Sequence, residues 1–242
     1  MIILPAIDLR GGKVVRLEKG DYSRQTDYSD DPAAVAEAFA AAGAEWIHVV
    51  DLDAALSGRP TNTEALKRIR QAAGPQMRIE FGGGARNDDY VRTMMDMGVD
   101  RVVVGSAALK DWPWFEALVF RPEMNGKVAL GLDARDGRLA AHGWTDQTQT
   151  LAVDVAARVA GWPLGAIVYT DIARDGMLTG VNVEATARIV QASGLGVIAS
   201  GGVRGLDDVV RCKASMCAGM IVGKAYYEGR IDLRQAIAAG LG

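Results

Sequence analysis

Short apolar runs alternate with Ala-rich amphipathic segments along the whole chain, and this alternation limits the fold more than any other feature. Several helical segments, such as DPAAVAEAFAAAGA and NVEATARIVQASG, begin at Asp or Asn and end at Gly or Ala. Alternating units of this kind require parallel strands with helical crossovers. Eight runs are predicted as strands, at 2–7, 46–51, 77–81, 101–104, 127–132, 165–170, 196–199 and 219–222.

Eight strand–helix units are enough to close a barrel that leaves no strand edge exposed. We therefore predict an α/β protein, a closed (β/α)8 barrel, with an open doubly wound sheet as the alternative. The 242 residues are 49% hydrophobic and 24% charged, proportions typical of a globular protein, and a barrel of this length forms a single domain over 1–242.

Charge and cysteine content limit which binding partners and which cellular compartment are expected. The net charge is -3 and no Lys/Arg cluster is present, so no nucleic-acid partner is expected. The opening MIILPAIDLR is a strand pattern with no basic region before it, and no apolar stretch approaches the ~20 residues of a membrane span. We expect a cytoplasmic protein with no membrane contact. Two cysteines and two distant histidines predict neither a disulfide framework nor a metal site.

The two halves of the chain resemble each other. Gly105 in VVVGSAAL and Gly223 in MIVGKAYY are 118 residues apart, as are Gly83 in FGGGAR and Gly201 in SGGVR. Further segments match at similar offsets, placing Asp8 opposite Asp133 and Asp51 opposite Thr170. The pattern predicts an internal twofold repeat of half-barrels, about 1–124 and 125–242.

Glycine-rich turns follow four of the predicted strands. In a parallel barrel, ligands bind where strands end, and backbone N–H groups at Gly turns and helix starts bind oxyanions. Taken singly, such turns need Gly for steric reasons alone; as matched pairs they predict two phosphate sites on opposite sides of the barrel mouth. The residues are Gly82, Gly83, Gly84, Gly105 and Ser106 in the first half, and Ser200, Gly201, Gly202, Gly223 and Lys224 in the second.

One carboxylate in each half, Asp8 and Asp133, follows an apolar strand between these two ends. Two opposed carboxyls can act as base and acid in one proton-transfer reaction when their pKa values differ. Asp residues at strand ends also cap helices, which is the alternative role for each. Thr170 is predicted to donate a hydroxyl hydrogen bond to the substrate or to a carboxylate, with a structural role at the strand end as the alternative. This chemistry needs no cofactor and no metal.

Two long polar segments, 18–31 and 135–149, follow the strands that carry Asp8 and Asp133 and are predicted to be lid loops. Trp144 in the second is predicted to stack on substrate or to pack the loop on its scaffold. His142, in the same loop, is interpreted as a loop residue and not as a general base. Arg86, just after the first Gly turn, is predicted to hold an anion or a carboxamide.

These motifs resemble the phosphoribosylformimino-5-aminoimidazole carboxamide ribotide isomerase family of histidine biosynthesis. The likeness covers nearly the whole chain, from LPAIDLRGGKVVRL through GGGAR, LDARDG, YTDIARDGML and SGGV to IVGKAYYEG. It implies a TIM barrel and an Amadori rearrangement of a bis-phosphorylated aminoaldose to an aminoketose. By this likeness Asp8 is the proton acceptor, Asp133 the proton donor, Thr170 a supporting residue and Trp144 a substrate contact. Asp175 and Gly176, in YTDIARDGML, join the predicted binding residues.

Departures from the family pattern are Phe81, Ala85 and Lys224, which leave fine specificity open. Other interpretations are the related barrel cyclase of the same pathway, and a phosphoribosylanthranilate isomerase or an enzyme serving both pathways. A phosphosugar-binding barrel without catalysis is a further alternative. We expect a monomer acting on a small-molecule substrate.

Overall fold

A closed barrel of parallel strands forms the centre of the computed structural model, which describes residues 1–141, 144 and 146–241. Within that part of the chain, eight strands build the barrel: β1 (Ile2–Arg10), β4 (Trp46–Asp51), β5 (Arg78–Gly82), β6 (Arg101–Val104), β7 (Val128–Arg135), β10 (Ala166–Asp171), β11 (Val197–Ser200) and β12 (Gly219–Val222). Each strand pairs in parallel with the next in this order. Pairing of Ile2 with Gly219 joins β12 to β1 and closes the ring. The predicted (β/α)8 TIM barrel is confirmed.

Helices cover the outside of the barrel because each presents one apolar face to it. Polar caps start several of them: the Asp31 side chain accepts from the N–H groups of Ala33 and Ala34, and Asn87 and Asn182 cap later helices in the same way. The outer helices are α1 (Pro32–Ala41), α3 (Thr63–Ala73), α4 (Asp88–Asp96), α6 (Trp112–Val119), α7 (Ala152–Arg158), α8 (Val183–Ser193), α9 (Leu206–Ala214) and α11 (Leu233–Leu241).

Shorter helices follow three strands where these end at the barrel mouth. They are α2 (Leu52–Ser57), α5 (Ser106–Lys110) and α10 (Lys224–Tyr227), and a 3-10 turn spans Pro122–Met124. Among the helices of the described residues, none is both long and apolar enough to cross a membrane.

The two segments predicted as lid loops form antiparallel strands. β2 (Lys13–Glu18) and β3 (Asp21–Ser29) extend β1, while β8 (Arg138–Ala141) and β9 (Asp146–Leu151) extend β7. Because Asp8 pairs with Val15 on β2, β1 continues beyond the predicted end at residue 7. The role of these segments as lids stays a prediction, while Asp8 and Asp133 lie within strands and not after them as predicted. His142 lies outside the described residues.

The barrel interior determines where the site lies. Alternate residues of a strand face the interior, so Leu4, Ala6 and Asp8 rise in succession from the closed end to the mouth. A small apolar cluster fills the closed end, and the main core lies between the strands and the outer helices. Polar side chains accordingly face a cavity at the carboxyl end of the strands.

Candidate active site

A cavity of about 870 Å³ opens at the carboxyl end of the barrel strands, and a small pocket adjoins it. Every residue predicted for the site lines one of the two. The large cavity is lined by Asp8, Gly82, Gly83, Gly84, Arg86, Gly105, Ser106, Asp133, Trp144, Thr170, Asp175 and Ser200. The small pocket is lined by Asp175, Gly176, Ser200, Gly201, Gly202, Gly223 and Lys224. The roles assigned to these residues stay predictions.

Asp8 lies on β1 and forms a buried ion pair with Arg16 on β2. Arg16 Nη1 is 2.9 Å from Asp8 Oδ2, and the two side chains are only 10% and 14% exposed. Burial raises the pKa of Asp8, and the charges of Arg16 and His48 oppose that rise. Asp8 is therefore a buried carboxyl whose pKa is set by opposing effects of burial and neighbouring positive charge.

Asp133, on β7, is held by different partners. Burial raises the pKa of its carboxyl, while hydrogen bonds from the Trp144 and Thr170 side chains and the charge of His48 lower it. Thr170 on β10 is in direct register with Asp133, which places its hydroxyl beside the carboxylate. The two acids thus sit in unlike surroundings, as an acid–base pair requires.

Asp175, which follows β10, is a third buried carboxyl in this cavity. Burial raises its pKa to about 6, with Arg16 lowering it and Asp8 and Asp133 raising it further. Sequence reasoning placed Asp175 only among the binding residues. Its place in the cavity wall and its raised pKa make it a second candidate for the acid, because such a carboxyl is partly protonated near neutral pH.

The Gly turns have a steric reason that is independent of any ligand. A Cβ on Gly83 would lie 2.3 Å from the carbonyl oxygen of Asp51, and one on Gly201 would lie 2.7 Å from that of Asp171. Both residues also have left-handed backbone, with φ of +102° and +89°. The glycines that follow, Gly84 and Gly202, line the cavity and the small pocket respectively.

The two halves of the barrel share detailed contacts. The Asp51 carboxylate accepts a hydrogen bond from Asn62 Nδ2 at 2.7 Å, and Asp171 accepts one from Asn182 Nδ2 at 2.7 Å. Asp51 therefore corresponds to Asp171, and Thr170 corresponds to Val50, which was misplaced by one residue in the sequence comparison. The register agrees, because Val50 pairs with Gly82 as Thr170 pairs with Ser200.

The two Gly-rich ends, one after β6 and one after β12, also have matching backbone dihedral angles. Gly105 precedes α5 with φ of -101° and ψ of -106°, and Gly223 precedes α10 with -108° and -104°. Two cations lie near Gly223, and each is paired with a carboxylate: the Arg16 guanidinium, which occupies the space a Cβ would take, with Asp8, and Lys224 with Glu18 at 3.6 Å. The matching backbones agree with the predicted pair of oxyanion sites, which stays a prediction.

Arg86 and Trp144 line the cavity and also contact other segments of the chain. Arg86 Nη2 donates to the carbonyl oxygen of Ala55 at 2.7 Å, so the guanidinium fixes the end of α2. The Trp144 ring packs on Gly20, where a Cβ would lie 2.3 Å from Cε3. Trp144 thereby joins the segment after β7 to the hairpin after β1, which fits both roles that the sequence left open.

Arg16 and His48 also line the cavity, and sequence reasoning missed both. Each stands in an apolar strand, in VVRL and WIHVV, where the pattern does not show which face is turned toward a ligand. A charged residue among buried neighbours was the available signal. Within the described ranges, no group of three or more His, Cys, Asp or Glu side chains is arranged to hold a metal ion.

Comparison with known proteins places this site among relatives. A family model described as "Histidine biosynthesis protein" matches residues 2–232. A protein of Anaeromyxobacter sp. strain Fw109-5 is 48% identical over 239 residues, covering 99% of both chains. Proteins of Aliarcobacter butzleri strain RM4018 and Syntrophus aciditrophicus strain SB are 44% and 45% identical, with 98% of each chain covered. All three are named 1-(5-phosphoribosyl)-5-((5-phosphoribosylamino)methylideneamino)imidazole-4-carboxamide isomerase.

Proposed function

The chain belongs to the histidine biosynthesis protein family, and from this premise we propose that it catalyses the isomerisation for which its relatives are named. The reaction converts a bis-phosphorylated aminoaldose into an aminoketose by an Amadori rearrangement. The observation that carries this proposal is a cavity with an adjoining pocket, in which buried carboxyls lie between two Gly-rich ends of matching backbone. A substrate with a phosphate at each extremity fits that arrangement.

The rearrangement needs one proton donor and one proton acceptor. Protonation of the furanose ring oxygen opens the sugar to a Schiff base, and removal of the C2 proton then gives an enolamine that tautomerises to the ketose. We assign the C2 proton to Asp8, whose ion pair with Arg16 favours the carboxylate. Placed acid and base groups contribute roughly 10²–10⁴-fold to the rate.

The ring-oxygen proton is assigned to Asp133, with Thr170 and Trp144 holding its carboxyl. Asp175 is the second candidate, because its pKa of about 6 keeps a proton available near neutral pH. Comparing Asp133→Asn with Asp175→Asn separates them. The variant that lacks the acid should lose most turnover and the basic limb of the pH profile, while the other keeps that limb.

The substrate is tested by assaying purified protein with two aminoaldose phosphates, the imidazole carboxamide and the anthranilate. We expect turnover of the imidazole carboxamide compound. Turnover of the anthranilate compound alone would overturn the proposal, and binding without turnover of either would support a phosphosugar-binding barrel.

We also propose that the protein acts as a cytoplasmic monomer without a nucleic-acid partner. One chain supplies both Gly-rich ends and all the assigned carboxyls, so no second copy is needed to complete the site. Light scattering of the purified protein tests the monomer, and an obligate dimer would contradict it.

A further inference from the structure

A buried ionic network lies in the barrel interior beneath the cavity, and the proposed reaction does not use it. The Glu80 side chain is 0% exposed; its Oε1 is 2.8 Å from His48 Nδ1 and its Oε2 is 2.7 Å from Arg101 Nε. Burying a carboxylate inside a barrel is costly unless it is paired and hydrogen-bonded. Apolar residues of similar size would fill the same space, so the network calls for a reason.

Contacts at the closed end of the barrel fix this network. The Arg101 guanidinium lies 4.2 Å from the ring centroid of Trp46 and donates to the carbonyl oxygen of Gly165 at 3.2 Å. Hydrogen bonds and charges from His48 and Arg101 outweigh burial and lower the pKa of Glu80. Since Glu80 is then an acceptor only, His48 Nδ1 carries the hydrogen of their bond.

The other ring nitrogen of His48, Nε2, is not bonded to Glu80. His48 lines the cavity, and its Nε2 has no hydrogen-bond partner among the residues that the structure describes. Strand register places the ring below Asp8, because His48 pairs with Ala6 while Asp8 pairs with the next inward-facing residue, Val50. His48 therefore forms part of the cavity floor.

His48 acts on both carboxyls of the assigned acid–base pair. Its charge lowers the pKa of Asp8 and the pKa of Asp133, in each case against the rise caused by burial. The charged groups that face it are Asp8 on β1, Glu80 on β5 and Asp133 on β7, with Arg101 on β6 acting through Glu80. The other groups that lower these pKa values differ: Arg16 acts on Asp8, whereas Trp144 and Thr170 act on Asp133.

We propose that His48, clamped by Glu80, whose carboxylate is itself held by Arg101, is a positioning residue for the reaction, and that its ring supports the carboxylate of Asp8 from the cavity floor. This inference rests on the proposed function, because it concerns the base of that reaction. It explains why an ionic network occupies a space that apolar packing could fill.

The test compares the pH dependence of kcat/KM for wild type and His48→Asn with the imidazole carboxamide substrate. Asn can still donate to Glu80 but cannot carry charge. Without the imidazole, burial of Asp8 is less opposed, so the acidic limb should move to higher pH by on the order of one unit, about tenfold in proton affinity. The substrate phosphates titrate alike in both proteins and cancel in the comparison.

Ile198→Val is the matched control, since Ile198 is a buried apolar residue of the barrel interior that does not line either pocket. We expect its acidic limb to coincide with that of wild type. An unshifted limb in His48→Asn, with only a lower plateau, would overturn the inference. Wild type without turnover would instead overturn the proposed function.

A measurement on the unmutated protein covers the case in which His48→Asn does not fold. The chain has two histidines, so ¹⁵N spectra of the imidazole rings are assigned with a His142→Gln variant. We expect a proton on Nδ1 of His48 throughout the pH range of activity. A neutral ring would contradict the inference, because it carries no charge to stabilise the Asp8 carboxylate, and a ring protonated on Nε2 alone would also show that the clamp by Glu80 is absent.

Discussion

At the scale of single residues, the site brings three buried carboxyls together. Burial is the largest influence on the pKa of Asp8, Asp133 and Asp175, and it raises all three. The Arg16 guanidinium acts on both Asp8 and Asp175. Acids held in this way reduce stability near neutral pH, which is typical of functional sites.

Asp175→Asn should stabilise the protein at neutral pH. The pKa of Asp175 is about 6 in the fold against an ordinary value of 3.8 for an Asp side chain, so the folded state binds more protons between these values. Its contribution to stability therefore falls as pH rises through that window, and Asn removes the loss. Chemical denaturation should show a gain of up to about 3 kcal/mol at pH ~7.5 that vanishes below pH ~4.

The control for this experiment is Asp89→Asn, because the Asp89 side chain is 92% exposed. Its effect on the free energy of unfolding should stay within about 1 kcal/mol across the same pH range. An Asp175→Asn protein that is destabilised equally at both pH values would contradict the burial argument.

The sequence identified the acids more readily than the groups that act on them. Asp8 and Asp133 follow apolar runs at predicted strand ends, where a barrel places its site. Arg16 and His48 stand inside strands whose neighbours are buried on both sides. Strand alternation alone does not distinguish the barrel interior from the helix-facing side, so their contacts with Asp8 and Glu80 required the folded geometry.

At the scale of elements, two hairpins meet above the cavity. β3 was not predicted because its sequence, DYSRQTDYS, is polar and largely exposed, so no apolar alternation marks it as a strand. Its backbone pairing with β2 holds it instead. Gly20 in the turn between them contacts Trp144 from the other hairpin.

Gly20→Ala should impair catalysis through Trp144. The added Cβ would lie 2.3 Å from the Trp144 ring, so the ring must move, and its hydrogen bond to Asp133 is lost. We expect kcat/KM to fall roughly tenfold or more, as for loss of an acid–base interaction.

Gly12→Ala is the matched control, because Gly12 has a similar φ of +79° and open space around its Cβ. That variant should cost about 1 kcal/mol of stability and keep the activity. Equal activity losses in the two variants would point to backbone strain in place of the Trp144 contact.

At the scale of the whole molecule, the strand and helix pattern was predicted well. β4, β6 and β12 match their predicted bounds, and the other barrel strands differ by one to three residues. β-branched runs that end at Gly carry this signal because each strand is buried on both faces. The descent of the halves, about 1–124 and 125–242, from one ancestral unit stays a prediction, supported by the matching Asp51–Asn62 and Asp171–Asn182 bonds.

Binding of a substrate that is held at both ends should be weakened by a negative charge at either end of the site. Ser106→Asp places a carboxylate at the first Gly-rich end and Ser200→Asp places one at the second, both in lining positions. Since juxtaposed like charges cost several kcal/mol, each variant should raise KM by about tenfold or more. If only one of the two substitutions raised KM, the site would have a single phosphate-binding end, which would contradict the prediction.

Substitution of the assigned base tests the central claim, which is that a carboxyl between the two predicted phosphate sites moves the proton. Asp8→Asn keeps the shape of the side chain but cannot accept a proton. Single-turnover kinetics and calorimetry with the imidazole carboxamide aminoaldose should show turnover reduced by about 10²–10⁴-fold or more with substrate binding still measurable. Asp89→Asn should retain both. Near-normal turnover in Asp8→Asn would contradict the assignment.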